Sequence, residues 1–265
     1  MQSLPCKICG CTESRIVYSG PIRLGRFGNI SQEPYDVRQC LSCQAIALPN
    51  IIEDTVTYYE TSTYRTEVDI SAEVDDYYRL HDGEQLKNLS MIGTGICRDK
   101  IVADIGCGAG SFLDAVKGYA REAIAIEPSS IFRESLQQKG YLTYPYVENA
   151  LEQHEGQVEV AVSFSVIEHI ETPLIFLQQI YRLLKPEGFL CLSTPNAKDI
   201  LLEVLPQEYT QFFYRKVHFW YFTPFALTKL LELAGFSDIQ IFPYQRFGLG
   251  NFLGWLRDKK PQGEL

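Results

Sequence analysis

Ile101-Val102-Ala103-Asp104-Ile105, followed at once by Gly106-Cys107-Gly108-Ala109-Gly110, decides the fold. The first five residues are a short apolar run of the kind buried in a parallel sheet, and the glycines allow a tight turn. Phe112, Leu113 and Val116 then recur at helical spacing. Strand, glycine loop and helix are therefore expected in that order. Outward from this unit, Ala123 to Ile126 reads as a second strand ending at Glu127, and a helix follows from about Ser129 to Lys139. Further strands are expected near Leu142 to Tyr146, at Val158 to Phe164 and at Gly188 to Thr194, the last stopped by Pro195-Asn196. A helix over Glu171 to Leu184 tolerates Pro173 in its first turn. Strands alternating with helices give an α/β fold, a parallel sheet with helices on both faces.

Beyond the fifth strand an aromatic stretch, Tyr209 to Phe222, leads to Thr223 as N-cap and Pro224 as first-turn residue of a helix that Gly235 ends. A sixth strand is expected over Ser237 to Phe242, and Asn251 to Arg257 reads as helix. No seventh strand is legible: either the sheet is one strand short or the chain is a piece of a longer protein.

Eight cysteines invite a disulfide reading, but five of them fall within the first 43 residues, in the pairs Cys6-Lys7-Ile8-Cys9 and Cys40-Leu41-Ser42-Cys43 plus Cys11. Each pair places two sulfurs on one tight turn, and two such turns close a tetrahedral thiolate site for structural Zn²⁺. Gly10 suits the left-handed turn after the first pair. Cys11 either replaces Cys9 or stands by. The organisation expected is thus a zinc module over 1–50, a polar, Tyr-rich helical connector or cap over 51–99, the α/β domain over 100–245, and a C-terminal extension over 246–265.

A net charge of −9 argues against broad contact with a nucleic-acid backbone, which needs clustered Lys and Arg. With 46% hydrophobic and 22% charged residues the chain has the composition of a globular protein rather than a disordered one. No apolar run reaches the length of a membrane span, and the start lacks a secretory pattern, so the expectation is no membrane partner and a cytoplasmic location. Nothing in the pattern sets an oligomeric state.

Asp104 followed by three alternating glycines resembles the first motif of class I S-adenosylmethionine-dependent methyltransferases, a Rossmann-like family. Glu127, Ser163-Phe164-Ser165-Val166-Ile167-Glu168-His169-Ile170 and Leu183-Leu184-Lys185-Pro186-Glu187-Gly188-Phe189 are similar to its later motifs. The resemblance implies that Asp104, Gly106, Gly108, Gly110, Glu127 and Phe164 line S-adenosylmethionine, with Pro128 near the adenine and Tyr59 or Tyr64 closing over it. Glu127 would accept hydrogen bonds from both ribose hydroxyls. An NAD-dependent oxidoreductase places an acid similarly, and the later motifs separate the two.

A cysteine-pair module ahead of this domain resembles that of sugar C-methyltransferases, which carry a further C-terminal domain, and of related enzymes of polysaccharide and natural-product pathways. The resemblance implies a small-molecule acceptor, a hydroxyl or less readily a carbon of a sugar or sugar nucleotide. A phenolic or polyketide intermediate is the rival acceptor, and a non-catalytic cofactor-binding protein the rival class. The sulfonium already activates the methyl group, so a base for the acceptor is the further requirement. His169 is the first choice, against a structural histidine bonded in its loop. Glu168 would orient it, act as base itself or cap the backbone. His218, in the aromatic stretch, would contact the acceptor or belong to the core. In ubiquinone-pathway O-methyltransferases an earlier Glu joins a similar Glu-His pair on a divalent metal; Ser165 stands at that position here, so no magnesium site is expected.

Overall fold

The computed structural model describes residues 5–26, 28–49, 51–68 and 71–261. The outermost residues of the expected zinc module, 1–4 and 50, and of the C-terminal extension, 262–265, lie outside them. In chain order the elements are β1 (Ser14–Gly20), β2 (Tyr35–Cys40), β3 (Ile46–Ala47), α1 (Thr55–Glu60), α2 (Thr63–Val68), α3 (Val74–Ile92), β4 (Ile101–Ile105), α4 (Ser111–Val116), β5 (Glu122–Ile126), α5 (Ser130–Gln138) and β6 (Leu142–Tyr144). They continue with α6 (Val147–His154), β7 (Val158–Phe164), α7 (Pro173–Leu183), β8 (Leu184–Ser193), α8 (Ile200–Val204), α9 (Glu208–Phe213), β9 (Trp220–Tyr221), α10 (Pro224–Ala234) and α11 (Leu249–Asp258). No helix among the described residues is long and apolar enough to cross a membrane.

The chain forms two compact units. One comprises residues 53–167 and 175–194; the other draws on 1–52, 168–174 and 195–265. The sequence suggested a linear series of segments, whereas the second unit gathers three separated stretches of chain.

The first unit is the α/β body. Its five strands run parallel in the order β6-β5-β4-β7-β8, as the alternation of strand and helix requires. β4 sits in the middle because its side chains are apolar on both faces: Val102 and Ala103 are fully buried. The chain leaves β4 toward β5 on one side and returns to β7 on the other, so the strand order reverses at β4 and a crevice opens beyond its carboxyl end. Asp104 lies in register with Ala125 and Val162 there. At the opposite end Glu159 accepts from the Ile101 N–H (3.0 Å) and pairs with Lys185 (2.7 Å), Lys100 (3.4 Å) and Arg121. Those partners, Lys185 first, hold its carboxyl down at about 2.

In the second unit β1, β2, β3 and β9 make an antiparallel sheet in that order. The last pairing joins Ile46 to Tyr221 and Ala47 to Trp220. Ile22, Val37, Ile46, Leu48, Tyr214 and Tyr221 form the core against this sheet. The aromatic stretch read from the sequence is thus partly a strand that completes the N-terminal sheet. Thr223 caps α10 through the Ala226 N–H (3.1 Å), and Gly235 ends it in the left-handed conformation, as expected.

Two expectations fail. Ser237 to Phe242 alternates like a strand but forms none and pairs with no described strand; Phe242 is 75% exposed. The fifth strand of the parallel sheet begins at Leu184 rather than Gly188, because Leu184 already pairs with Val158 across a register shift.

Candidate active site

At the end of β4 the chain turns at once. The Gly106 N–H donates to the Ile126 carbonyl (2.7 Å), pinning the loop to the end of β5. Gly106, Gly108 and Gly110 have φ of +76°, +55° and +92°, a region that side chains resist. A Cβ would strike Val166 at Gly106, the Tyr77 hydroxyl at Gly108, and Leu136 at Gly110 (2.6 Å). Glycine is required here by conformation and by space together.

Glu127 stands immediately beyond β5 and is 4% exposed. Its Oε2 accepts from the Gly108 N–H (2.8 Å) and its Oε1 from the Ser129 N–H (2.9 Å). Both oxygens are fixed, and each keeps a second lone pair. Burial pushes this carboxyl up and the Arg65 guanidinium pulls it back. Asp104, also 4% exposed, is pushed up to about 8 by burial and then by the charge of Glu127. Two buried carboxyls at one crevice favour a cationic ligand.

The cap comes from α1, α2 and α3. Tyr78 donates to the Ala109 carbonyl (2.8 Å) and Tyr77 to the Cys107 carbonyl (3.5 Å), which lays α3 across the glycine loop. The Arg65 guanidinium packs on the rings of Tyr64 (5.0 Å), Tyr77 (5.0 Å) and Phe132 (5.3 Å). Tyr64 therefore reaches this wall through Arg65. Tyr59 lies one ring further out, 5.0 Å from Tyr64. Tyr146 donates to the Glu60 carboxylate (2.8 Å) and Ser130 to its carbonyl (3.2 Å), anchoring α1 to residues that follow β5 and β6. Pro128 is half-buried, its carbonyl accepting from Arg133. Phe164 ends β7 with its ring 5.7 Å from Phe112, edge-on. Arg65 and Phe132 gave no signal in the sequence beyond a lone cation in an acidic stretch and an apolar helix position. Tyr77 stood in the visible tyrosine cluster.

A carboxyl held near 8 is protonated in the folded chain and ionised in the unfolded one between about pH 4 and 8. The native state binds the extra proton, so this group removes stability as pH rises through that window. Asp104→Asn is expected to unfold at higher urea than the parent at pH 8, by on the order of 2 kcal/mol, with the gap closing toward pH 4. Equal midpoints at pH 8 would contradict the assignment.

The remaining candidates belong to the other unit. Sγ of Cys6 lies 3.7 Å from that of Cys43, and Sγ of Cys9 lies 3.6 Å from that of Cys40. All four sulfurs fall within 4.8 Å of one another. A tetrahedron with metal–sulfur bonds of about 2.3 Å has edges of roughly 3.8 Å, so the set fits zinc. Each turn closes the same way: Gly10 N–H to Cys6 O with φ +74°, and Gln44 N–H to Cys40 O with φ +59°. Cys11 instead exchanges contacts with the Glu13 backbone.

Glu168, His169 and His218 also converge, their ligand atoms within 4.8 Å of one another. Glu168 is 1% and His218 4% exposed. His169 donates from Nδ1 to the Val217 carbonyl (2.8 Å), and the two imidazoles meet edge to face at 4.7 Å. The Phe219 N–H donates to the Glu168 carbonyl (2.8 Å), fixing one stretch on the other. Burial, then the charges of His169, Arg215 and Arg23, hold His218 well below the usual imidazole range, so it is neutral.

Comparison with known proteins gives a consistent picture. The family model described as "Methyltransferase domain" matches residues 84–241. The ubiquinone biosynthesis O-methyltransferase of Bradyrhizobium diazoefficiens is 30% identical over 140 residues, covering 49% of this chain and 55% of that protein. The enzyme of the same name from Psychrobacter arcticus is 28% identical over 152 residues, 52% and 59% of the two chains. The chain thus spans somewhat over half the length of these curated relatives. Among solved structures, a SAM-dependent methyltransferase from Archaeoglobus fulgidus superposes with a TM-score of 0.53 at 20% identity, covering 66% of this chain and 78% of that one. That likeness establishes the methyltransferase fold.

Proposed function

This chain belongs to the methyltransferase-domain family, and from that premise we propose that it transfers the methyl group of S-adenosylmethionine to a hydroxyl oxygen of a small-molecule acceptor. The observation that carries the reading is the fixed pair of Glu127 oxygens beside the three-glycine loop. A carboxylate with one spare lone pair on each oxygen matches a vicinal ribose diol. Asp104 and Glu127 together complement a positively charged cofactor, and the glycines let it approach the backbone. Phe164, Pro128, Tyr64 and Tyr59 would line or cover it, with Arg65 and Tyr77 completing the wall.

When bound, the cofactor supplies a methyl carbon already activated by its sulfonium. The chain's own task is to align the acceptor and to take charge of its proton. That task is assigned to Glu168, His169 and His218, the first two of which follow Phe164 by four and five residues. Cys6, Cys9, Cys40 and Cys43 would hold one structural Zn²⁺, a closed four-sulfur set with no position left for an acceptor.

The names of the relatives, O-methyltransferases of ubiquinone biosynthesis, favour an oxygen acceptor, for which a phenolic hydroxyl is one candidate class. A sugar or sugar nucleotide rests on the resemblance of the cysteine module. Calorimetry with S-adenosylhomocysteine, then labelled methyl transfer to a panel of catechols, phenols and nucleotide sugars, tests both levels. Product binding in the micromolar range with turnover on one class is expected. No heat with the homocysteine product would end the reading, and heat without turnover on any acceptor would favour a non-catalytic binding protein.

A further inference from the structure

Phe219 bonds in two directions at once. Its carbonyl accepts from the Leu48 N–H (3.0 Å), which continues the pairing of β3 with β9, and its own N–H donates to the Glu168 carbonyl (2.8 Å). Two residues earlier, the Val217 carbonyl accepts from Nδ1 of His169 (2.8 Å). One residue later, the Trp220 indole N–H donates to the Glu171 carbonyl (3.4 Å), and the Glu171 carboxylate pairs with Lys7 inside the first cysteine turn. The strand that holds this segment starts at the second cysteine turn, where the Cys40 N–H donates to the Ala45 carbonyl (3.0 Å) and Ile46 and Ala47 follow. Cysteine turn, β3, residues 217–220 and the Glu168 stretch are thus joined in series, all within the second unit. The exposed Lys7–Glu171 pair, at 48% and 44%, contributes little because solvent screens it. Phe219 is 4% and Val217 1% exposed, so water is a poor substitute for their backbone partners. β9 is two residues long and keeps its place through β3, which is equally short and hangs from the turn between Cys40 and Cys43.

We propose that the four-cysteine set governs the geometry of Glu168 and His169, with Phe219 as the positioning residue between them. While the cysteine turns are closed, β3 fixes residues 217–220, and these in turn fix the Glu168 backbone and the proton of His169 on Nδ1. The lone pair of the neutral ring is then held on Nε2 in one orientation. When the turns open, β9 loses its edge, the Val217 carbonyl moves away, and the imidazole samples both tautomers. Acceptor turnover therefore depends on the cysteine set while cofactor affinity does not, because the glycine loop and Glu127 belong to the α/β body. The effect on turnover rests on the methyltransferase reading; the tie from the cysteines to His169 does not.

The full chain carrying ¹⁵N-histidine and 5-fluorotryptophan tests this before and after zinc is removed by a chelator. At about pH 8.5, above the ordinary imidazole range, the ¹⁵N shifts report the His169 tautomer. The ratio of Nδ1–H to Nε2–H forms should fall by about tenfold on zinc removal, the equivalent of one net hydrogen bond. The chain has two tryptophans, and the ¹⁹F signal of Trp220 should move with zinc occupancy. Affinity for S-adenosylhomocysteine should stay unchanged, and on any acceptor that is turned over kcat should fall by about a hundredfold, the cost of a misplaced reacting group. In the zinc-loaded chain, Trp220→Phe removes the tie to Glu171 alone; it should keep the ion and the cofactor affinity and shift the tautomer ratio in the same direction by a smaller factor. An unchanged tautomer ratio in the zinc-free chain, or in Trp220→Phe, overturns the proposal. Loss of S-adenosylhomocysteine binding together with the zinc also overturns it, since the module would then support the whole chain rather than position one segment. A zinc-loaded parent that binds no S-adenosylhomocysteine would strike the methyltransferase reading alone, because the tautomer and the Trp220 signal are read without cofactor.

Discussion

Glu127→Ala should weaken S-adenosylhomocysteine binding by at least a hundredfold in calorimetry. Two hydrogen bonds from ribose hydroxyls to a buried carboxylate contribute about 1.5 to 3 kcal/mol each, and their joint loss spans two to four decades. The substitution also removes the acceptor for the Gly108 and Ser129 N–H groups, so the loop loses the tie that fixes its second glycine. Glu127→Gln separates the two effects. Its amide oxygen can still accept from one N–H, so the loop should keep most of its order while the diol loses one of its two acceptors. An alanine variant that binds within tenfold of the parent would mean that Glu127 does not meet the ribose.

Cys43→Ser should abolish the zinc binding proposed for the four sulfurs and unfold the sheet of β1, β2 and β3. Structural zinc in small modules supplies on the order of 10 kcal/mol of apparent binding free energy, more than a sheet of this size gains from its own core. Cys40 ends β2, and the turn from Cys40 to Cys43 leads directly into β3, so a loosened site frees the strand that receives β9. Limited proteolysis should cut the variant between residues 14 and 49 while the α/β body survives, and metal analysis should show the loss of one zinc. A metal-free variant with the parent's protease resistance would show that the sulfurs are merely buried.

The α/β body was legible because each of its signals is local. An apolar run, glycines at fixed spacing and a helix at period 3.6 specify β4, the loop and α4 without outside help. Glu127 was readable for the same reason, being the residue at which the second strand stops. What the sequence hid depends on partners far along the chain. β9 is two residues long and exists only because Ile46 and Ala47 offer it an edge, so Trp220 and Tyr221 read as part of an aromatic run. Ser237 to Phe242 failed in the opposite sense, a good strand pattern without a partner. His218 was visible as a histidine among aromatics, but its meeting with Glu168 and His169 follows from the Phe219 to Glu168 hydrogen bond, which no spacing announces. Arg65 illustrates the same limit, since its neighbours Tyr77 and Phe132 lie on two other helices.

The union of β3 with β9 sets a timetable for biosynthesis. Ile46 leaves the ribosome long before Tyr221, and at ordinary translation rates the interval is roughly 10 to 35 s. Throughout it the nascent hairpin carries a bare backbone edge, the kind of surface that recruits foreign strands. An ion captured early by the cysteine turns would hold that hairpin in shape while the intervening α/β body emerges and folds. Zinc starvation during expression should therefore show itself as aggregated nascent chains before it shows as a deficit in purified enzyme.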